Sequence, residues 1–170
     1  LVVVHQNPHK LSQEEKTKWV QELIDDSLVV WHASHGGHAN VVDLLLNVNN
    51  VNVNVDDGDC TALFIASQNG NLNVVETLLK STMINVNEPT RDGCTPLYGA
   101  SERGYVKIVQ TLLSKDDIDV NQHNKTNQTP LNTASDNGYV EIVRLLLSNP
   151  NIDLNKEDNW NKTALGSAKE

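Results

Sequence analysis

The segment Thr95–Asn121, TPLYGASERGYVKIVQTLLSKDDIDVN, recurs along the chain at a spacing of 34 residues. Thr129–Asn155 reads TPLNTASDNGYVEIVRLLLSNPNIDLN, and Thr61–Asn87 reads TALFIASQNGNLNVVETLLKSTMINVN. A further start, TALGSA, occupies Thr163–Ala168. A looser copy, VVWHASHGGHANVVDLLLNVNNVNVN, lies upstream at Val29–Asn54, offset by 33 residues. Self-similarity at this period marks a solenoid, whose stacked units bury a core that no single unit buries alone.

The residues of one unit predict its shape. Thr95 offers an N-cap oxygen, and Pro96 suits the first helical position, where its missing N–H costs nothing. A short helix over about Pro96–Arg103 should end at Gly104, which can take a left-handed conformation. A second helix over about Val106–Ser114 places Ile108, Val109, Leu112 and Leu113 on one face. The extended piece Ile118–Asn121 then leads through a polar loop to the next threonine.

This unit resembles the ankyrin repeat. The matching residues are Thr95, Pro96, Leu97 and Ala100 at the start, Gly104 at the turn, the paired apolar residues of the second helix, and Asp119, Val120 and Asn121 at the close. The resemblance covers about Leu28–Glu170. It implies an all-α solenoid of helix-turn-helix units joined by polar hairpin-like loops, with units at about 28–54, 55–87, 88–121 and 122–155 and a partial unit at 156–170. Asp59, Asn127 and Asn161 stand where the family usually has a loop glycine. Asp and Asn tolerate positive φ better than most residues, so these turns are expected to survive. Phe64, Tyr98 and Asn132 replace the usual first-helix histidine.

Upstream, Ser12 and Glu15 form a capping-box signature before a helix over about Gln13–Asp25. Its apolar face, Trp19, Val20, Leu23 and Ile24, has the spacing of the later second helices, so it reads as the cap of the stack within an N-terminal segment of residues 1–27. The alternation in Asn47–Val55, NVNNVNVNV, taken alone suggests a strand; in register with the other units it is a polar linker. The last unit stops inside its first helix, and the chain begins with Leu1 rather than Met. Both features read as a fragment of a longer protein.

Composition narrows the function. Among the 170 residues, 13 basic and 22 acidic side chains give a formal net charge of −9. An acidic chain is a poor partner for phosphate backbones or anionic membranes, so neither nucleic acid nor membrane is expected. No run of 18 apolar residues exists to form a transmembrane helix. Cys60 and Cys94 occupy equivalent places in successive units, about 8–10 Å apart for stacked helices. A disulfide needs Cα atoms within about 7 Å. Two free thiols imply a reducing compartment, hence an intracellular, cytoplasmic protein with the nucleus as alternative. The sequons at Asn124, Asn127 and Asn161 are then expected to stay unused.

No catalytic set emerges: there is no nucleophile elbow, zinc-protease helix, phosphate loop or dinucleotide fingerprint, and no cofactor is implied. His32, His35 and His38 are spaced like metal ligands, but Gly36-Gly37 interrupts them, and ordinary repeat positions account for them better. Asp56-Asp57-Gly58-Asp59 lacks the spaced ligands and closing Glu of a calcium loop, and reads as a solvated tip.

The expected function is therefore protein–protein interaction, non-enzymatic, by a monomer. A solenoid offers a long concave face built from equivalent positions, whose chemistry can vary because the core does not use it. Two sets vary most. The loop tips carry Asp57, Arg91, Asp92, Lys125 and Trp160; the first helices and their ends carry Gln68, Asn69, Tyr98, Glu102, Arg103, Asp136 and Asn137. Members of the family bind protein partners through these slots. Trp160 and Tyr98 are the aromatic anchor candidates, although Tyr98 can equally pack against a neighbouring unit. Arg91 and Arg103 suit an acidic segment, while Asp57, Glu102 and Asp136 suit a basic one. The alternative is a regulatory or targeting segment of a larger enzyme whose catalytic domain lies elsewhere. Asn54, Asn87, Asn121 and Asn155 occupy the position that asparaginyl hydroxylases modify in the ankyrin family; bracing of the loops is the competing role. Fraying is expected first in the fifth unit and in the Asn47–Val55 linker.

Overall fold

A computed structural model of the chain describes residues 28–48 and 51–167. The capping helix expected over residues 13–25 lies outside them. Among the described residues nine helices follow in order: α1 Val29–His35, α2 Ala39–Leu46, α3 Ala62–Gln68, α4 Leu72–Leu78, α5 Pro96–Glu102, α6 Val106–Leu113, α7 Pro130–Asp136, α8 Val140–Leu147 and α9 Ala164–Ser167. The described residues form no strand, and the alternating Val51–Val55 region is a turn followed by an isolated bridge between Asp56 and Thr61.

Helices of seven or eight residues are too short to persist alone in water. Local chemistry starts and stops them, and stacking holds them. Thr61, Thr95 and Thr129 each accept a hydrogen bond on Oγ1 from the backbone N–H three residues on, at 3.3, 3.1 and 3.2 Å. Each such cap contributes about 1 kcal/mol. Asn132 does more than the family histidine's absence suggests. Its carbonyl accepts from the Thr129 N–H at 3.1 Å, and its amide donates to the Lys162 carbonyl of the next loop at 3.4 Å.

The first helices of units two to four end alike. Gly70, Gly104 and Gly138 adopt φ of +79°, +78° and +70°. The N–H of the residue after each glycine reaches back to an alanine carbonyl: Asn71 to Ala66, Tyr105 to Ala100 and Tyr139 to Ala134, at 2.9 to 3.0 Å. This is the Schellman geometry, and it satisfies carbonyls that the helix leaves open.

Two layers result. First helices stack on first helices (α1, α3, α5, α7, α9), and second helices on second helices (α2, α4, α6, α8). Leu63, Leu78, Leu97, Ile108, Leu112, Ile142 and Leu146 are the largest side chains fully buried between the layers. Each contributes about 1.5–3 kcal/mol by leaving water.

Candidate partner-binding surface

The loops between units are fingers closed by polar side chains that accept from the backbone. Asn124 Oδ1 accepts from the Thr126 and Gln128 N–H groups at 2.9 and 3.0 Å. Asp158 accepts from Trp160 and Lys162 N–H, both at 2.9 Å. Thr90 serves Asp92 and Cys94 at 3.2 and 3.1 Å. Asn127 and Asn161 take positive φ, 59° and 58°, as their chemistry allows. Asp59 does not. In that finger Gly58 adopts φ +92° instead, and Asp57 Oδ1 accepts from the Asp59 and Cys60 N–H groups at 3.1 and 2.9 Å. The turn has moved one residue upstream, because a glycine there removes the Cβ cost that Asp59 would bear.

Neighbouring fingers are joined. Arg91 N–H donates to the Asp59 carbonyl at 2.9 Å and Lys125 N–H to the Asp92 carbonyl at 2.9 Å, while Asn159 N–H reaches Thr126 at 3.0 Å. Side chains reinforce the stack. Arg91 Nη2 donates to the Gly58 carbonyl at 2.6 Å, and Lys125 Nζ lies 3.4 Å from Asp92. One chain of hydrogen bonds ties fingers to first helices. Asn124 Nδ2 donates to Tyr98 Oη at 3.2 Å, Tyr98 Oη donates to Gln128 Oε1 at 3.4 Å, and Gln128 Nε2 donates to Asp136 at 3.2 Å. Loop tips and first-helix ends are thus one surface.

The candidate residues divide by exposure. Asp57, Asn69, Arg91, Asp92, Arg103, Lys125, Asp136, Asn137 and Trp160 are exposed, and Gln68 and Glu102 half-buried. Trp160 is 62% exposed. Tyr98 is 4% exposed and binds the following finger, so it packs between units and is not a free anchor. Arg103 lies 3.7 Å from Glu102. The N–H groups of Cys60 and Asp59 hold the Asp57 carboxyl below the ordinary aspartate range.

The sequence reading passed over Trp31. Register finds it: Trp31, Phe64, Tyr98 and Asn132 occupy the same helical position, three residues after each cap. Trp31 is half-buried, stacked on His35 at 5.2 Å and edge-on to His32 at 5.3 Å. It packs with Cys60, Phe64, Ile65 and Cys94. Both cysteines are free thiols, and burial pushes each above its ordinary range. At this first-helix position the aromatic residues of units one to three are half-buried (Trp31) or buried (Phe64, Tyr98), and unit four carries the buried Asn132. Among the described residues no group of three or more acidic, His or Cys side chains could hold a metal ion. No described helix is long and apolar enough to cross a membrane.

Between the second helices and the fingers runs a ladder of asparagines. Asn54 Nδ2 donates to the Met83 carbonyl at 2.6 Å, and its Oδ1 accepts from Asn85 N–H at 2.7 Å. Asn87 bridges Asp117 and Asp119 at 2.7 and 2.8 Å, and Asn121 bridges Asn151 and Asp153 at the same distances. These four-atom bridges show loop bracing directly. Asn155 is exposed and makes no such bridge among the described residues.

The family model described as ankyrin repeats (3 copies) matches residues 9–90, 30–124 and 83–158. The chain belongs to the ankyrin-repeat family. A comparison with curated proteins finds no match. Ankyrin repeats are as a class protein–protein interaction modules and typically carry no catalytic site, and the capped helices and joined fingers described above are the framework on which an ankyrin domain displays variable side chains.

Proposed function

We propose that this ankyrin domain binds a protein partner along the surface formed by its finger tips and first-helix ends, and that the partner presents a basic segment with apolar side chains. The observation supporting this is the contrast between constant core and variable surface. Positions that cap, turn and pack repeat from unit to unit, whereas the exposed set on this one surface does not. Its carboxylates, Asp56, Asp57, Asp59, Asp92, Glu102 and Asp136, outnumber its cations, Arg91, Arg103 and Lys125. Those cations already sit beside a carbonyl or a carboxylate of the domain itself. Trp31 and Trp160 lie toward opposite ends of the surface, and Trp160 is held on a turn closed by Asp158. A large rigid aromatic presented this way loses little conformational entropy on binding.

The test is affinity capture from native lysate with the domain beside a Trp160→Ala, Glu102→Gln, Asp136→Asn variant. The expected outcome is a partner held by the first, lost from the second, and released by raised salt. A partner retained equally by both would place the site elsewhere. Of the four asparagines in the hydroxylation position, Asn155 is the one we propose is open to a modifying enzyme in the folded domain, since the others have both amide groups engaged. Intact-mass analysis of protein from its host is expected to place any added oxygen there.

A further inference from the structure

We infer that the cleft between the C-terminal ends of α6 and α8 is a docking site for a lysine side chain of a protein partner. It lies in the second-helix layer, between units three and four, and does not depend on the finger-surface reading. The repeat shows what belongs there. A helix ends with carbonyls that its own ladder leaves open, and a cation beside them is favoured. At the two earlier junctions of this layer the following unit supplies that cation. Lys80, just past α4, lies 3.2 Å from Asp43 on α2. Lys115, just past α6, is half-buried and donates from Nζ to the Leu79 carbonyl at the end of α4, at 3.2 Å.

At the third junction neither lysine recurs. Ser148 stands in the register of Lys80, and Asn149 in that of Lys115. A cleft of about 330 Å³ opens there, lined by Gln110, Leu113, Leu145, Ser148, Asn149 and Pro150, among others. Among the described residues no donor is bonded to the Leu113 carbonyl, the counterpart of Leu79. Gln110 holds the register of Asp43 and is exposed. Ser114 and Ser148 donate their hydroxyl protons to the Thr111 and Leu145 carbonyls, both at 2.7 Å, so toward any ligand their oxygens are acceptors. The cations adjacent in sequence, Lys115 and Arg144, are engaged with Leu79 and Glu141. The lining also sets the occupant's form. Leu113, Leu145 and Pro150 offer apolar walls to a methylene stem, which a bare metal ion lacks. Carbonyl, amide and hydroxyl oxygens suit the three donors of an ammonium. A guanidinium is matched best by a carboxylate, and none of the described lining residues carries one. The formal net charge of −9 favours the approach of a cationic segment.

The probe is the capped tripeptide acetyl-glycyl-lysyl-glycinamide, titrated into the isotope-labelled 170-residue protein and followed by amide chemical shifts. Saturable, millimolar shifts are expected at Leu113, Ser114, Ser148 and Asn149. The same peptide acetylated on its lysine Nε should bind about tenfold more weakly or not at all, because the charge is gone. Asn149→Lys supplies the cation from within the chain, as Lys115 does one unit earlier, and should abolish the shifts. Gln110→Glu restores the carboxylate that Asp43 provides to Lys80 and should tighten binding about two- to fivefold. A thermal melt verifies that each variant folds, and the two variants test the cleft in opposite directions. Absence of saturable shifts at the cleft, equal binding of the acetylated peptide, or no effect of either variant overturns the inference. Shifts reproduced by potassium chloride at the same ionic strength would assign the cleft to an inorganic cation, and butylamine binding more tightly than the tripeptide would assign it to a free amine; either overturns the partner lysine. Neither variant alters a finger residue, so failure of this titration and failure of the capture proposed above are separate results.

Discussion

Two residues, asparagine and glycine, recur with different duties in different units. Asn121 engages two backbone groups of the next unit, whereas Asn155 makes no such bridge among the described residues. Asn121→Ala is expected to lower stability by about 1–2 kcal/mol, the size of two partly exposed hydrogen bonds, and Asn155→Ala to leave a urea melt almost unchanged. The glycines separate similarly. A Cβ on Gly104 would lie 2.9 Å from the Tyr139 ring, while one on Gly138 would meet nothing within 4 Å. Both have positive φ, so Gly→Ala at either costs about 1–2 kcal/mol in backbone strain. The Gly104 variant must also displace the tyrosine, and should melt measurably below the Gly138 variant. These distinctions were only half legible. Thr, Gly and Asn positions stand out in the repeat because the same local geometry recurs. Which copy carries more energy depends on the neighbour stacked on it, and spacing alone does not report that. Asp59 makes the point at one residue: position marked it for a left-handed turn, but the adjacent Gly58 took that conformation at less steric cost.

At the scale of elements, helix limits followed from caps. The first helix of the third unit ends at Glu102 and its second at Leu113, each one residue short of the expected bound, because Arg103 and Ser114 serve as C-caps. Helices this short depend on every cap. Thr95→Ala removes the bond from Tyr98 N–H inside a buried site and should cost about 1–2 kcal/mol in a denaturant melt; Thr95→Ser should recover most of it. The finger surface was legible as a set of varying positions and was less legible as geometry. In the sequence Tyr98 stood evenly between anchor and packing against a neighbouring unit; its hydroxyl closes a hydrogen-bond chain from Asn124 to Gln128, which decides for packing. Trp31 was hidden for the opposite reason. Its unit lacks the Thr-Pro start, so alignment by that motif misses its equivalence to Phe64 and Tyr98.

Across the whole molecule, among the described residues, the helices in substantial contact lie within one unit or in adjacent units. Stability in such an array is close to a sum of unit and interface terms, so protection should be graded. Hydrogen exchange is expected to be slowest in α4, α5 and α6, which have full units on both sides, and fastest in the four-residue α9. The linker around Val51–Val55 should exchange faster than its counterparts around Asn85–Asn87 and Asp119–Asn121. A uniform, all-or-none exchange rate would contradict the additive picture.

The asparagine ladder has one more consequence. Every rung ends on main-chain atoms: the acceptors are carbonyls of Met83, Asp117 and Asn151, three unlike residues. The joint therefore ignores the identity of the side chain it meets. A gene segment of one period can be copied, removed or exchanged without a compensating change next door, and the surface residues it carries arrive already in register.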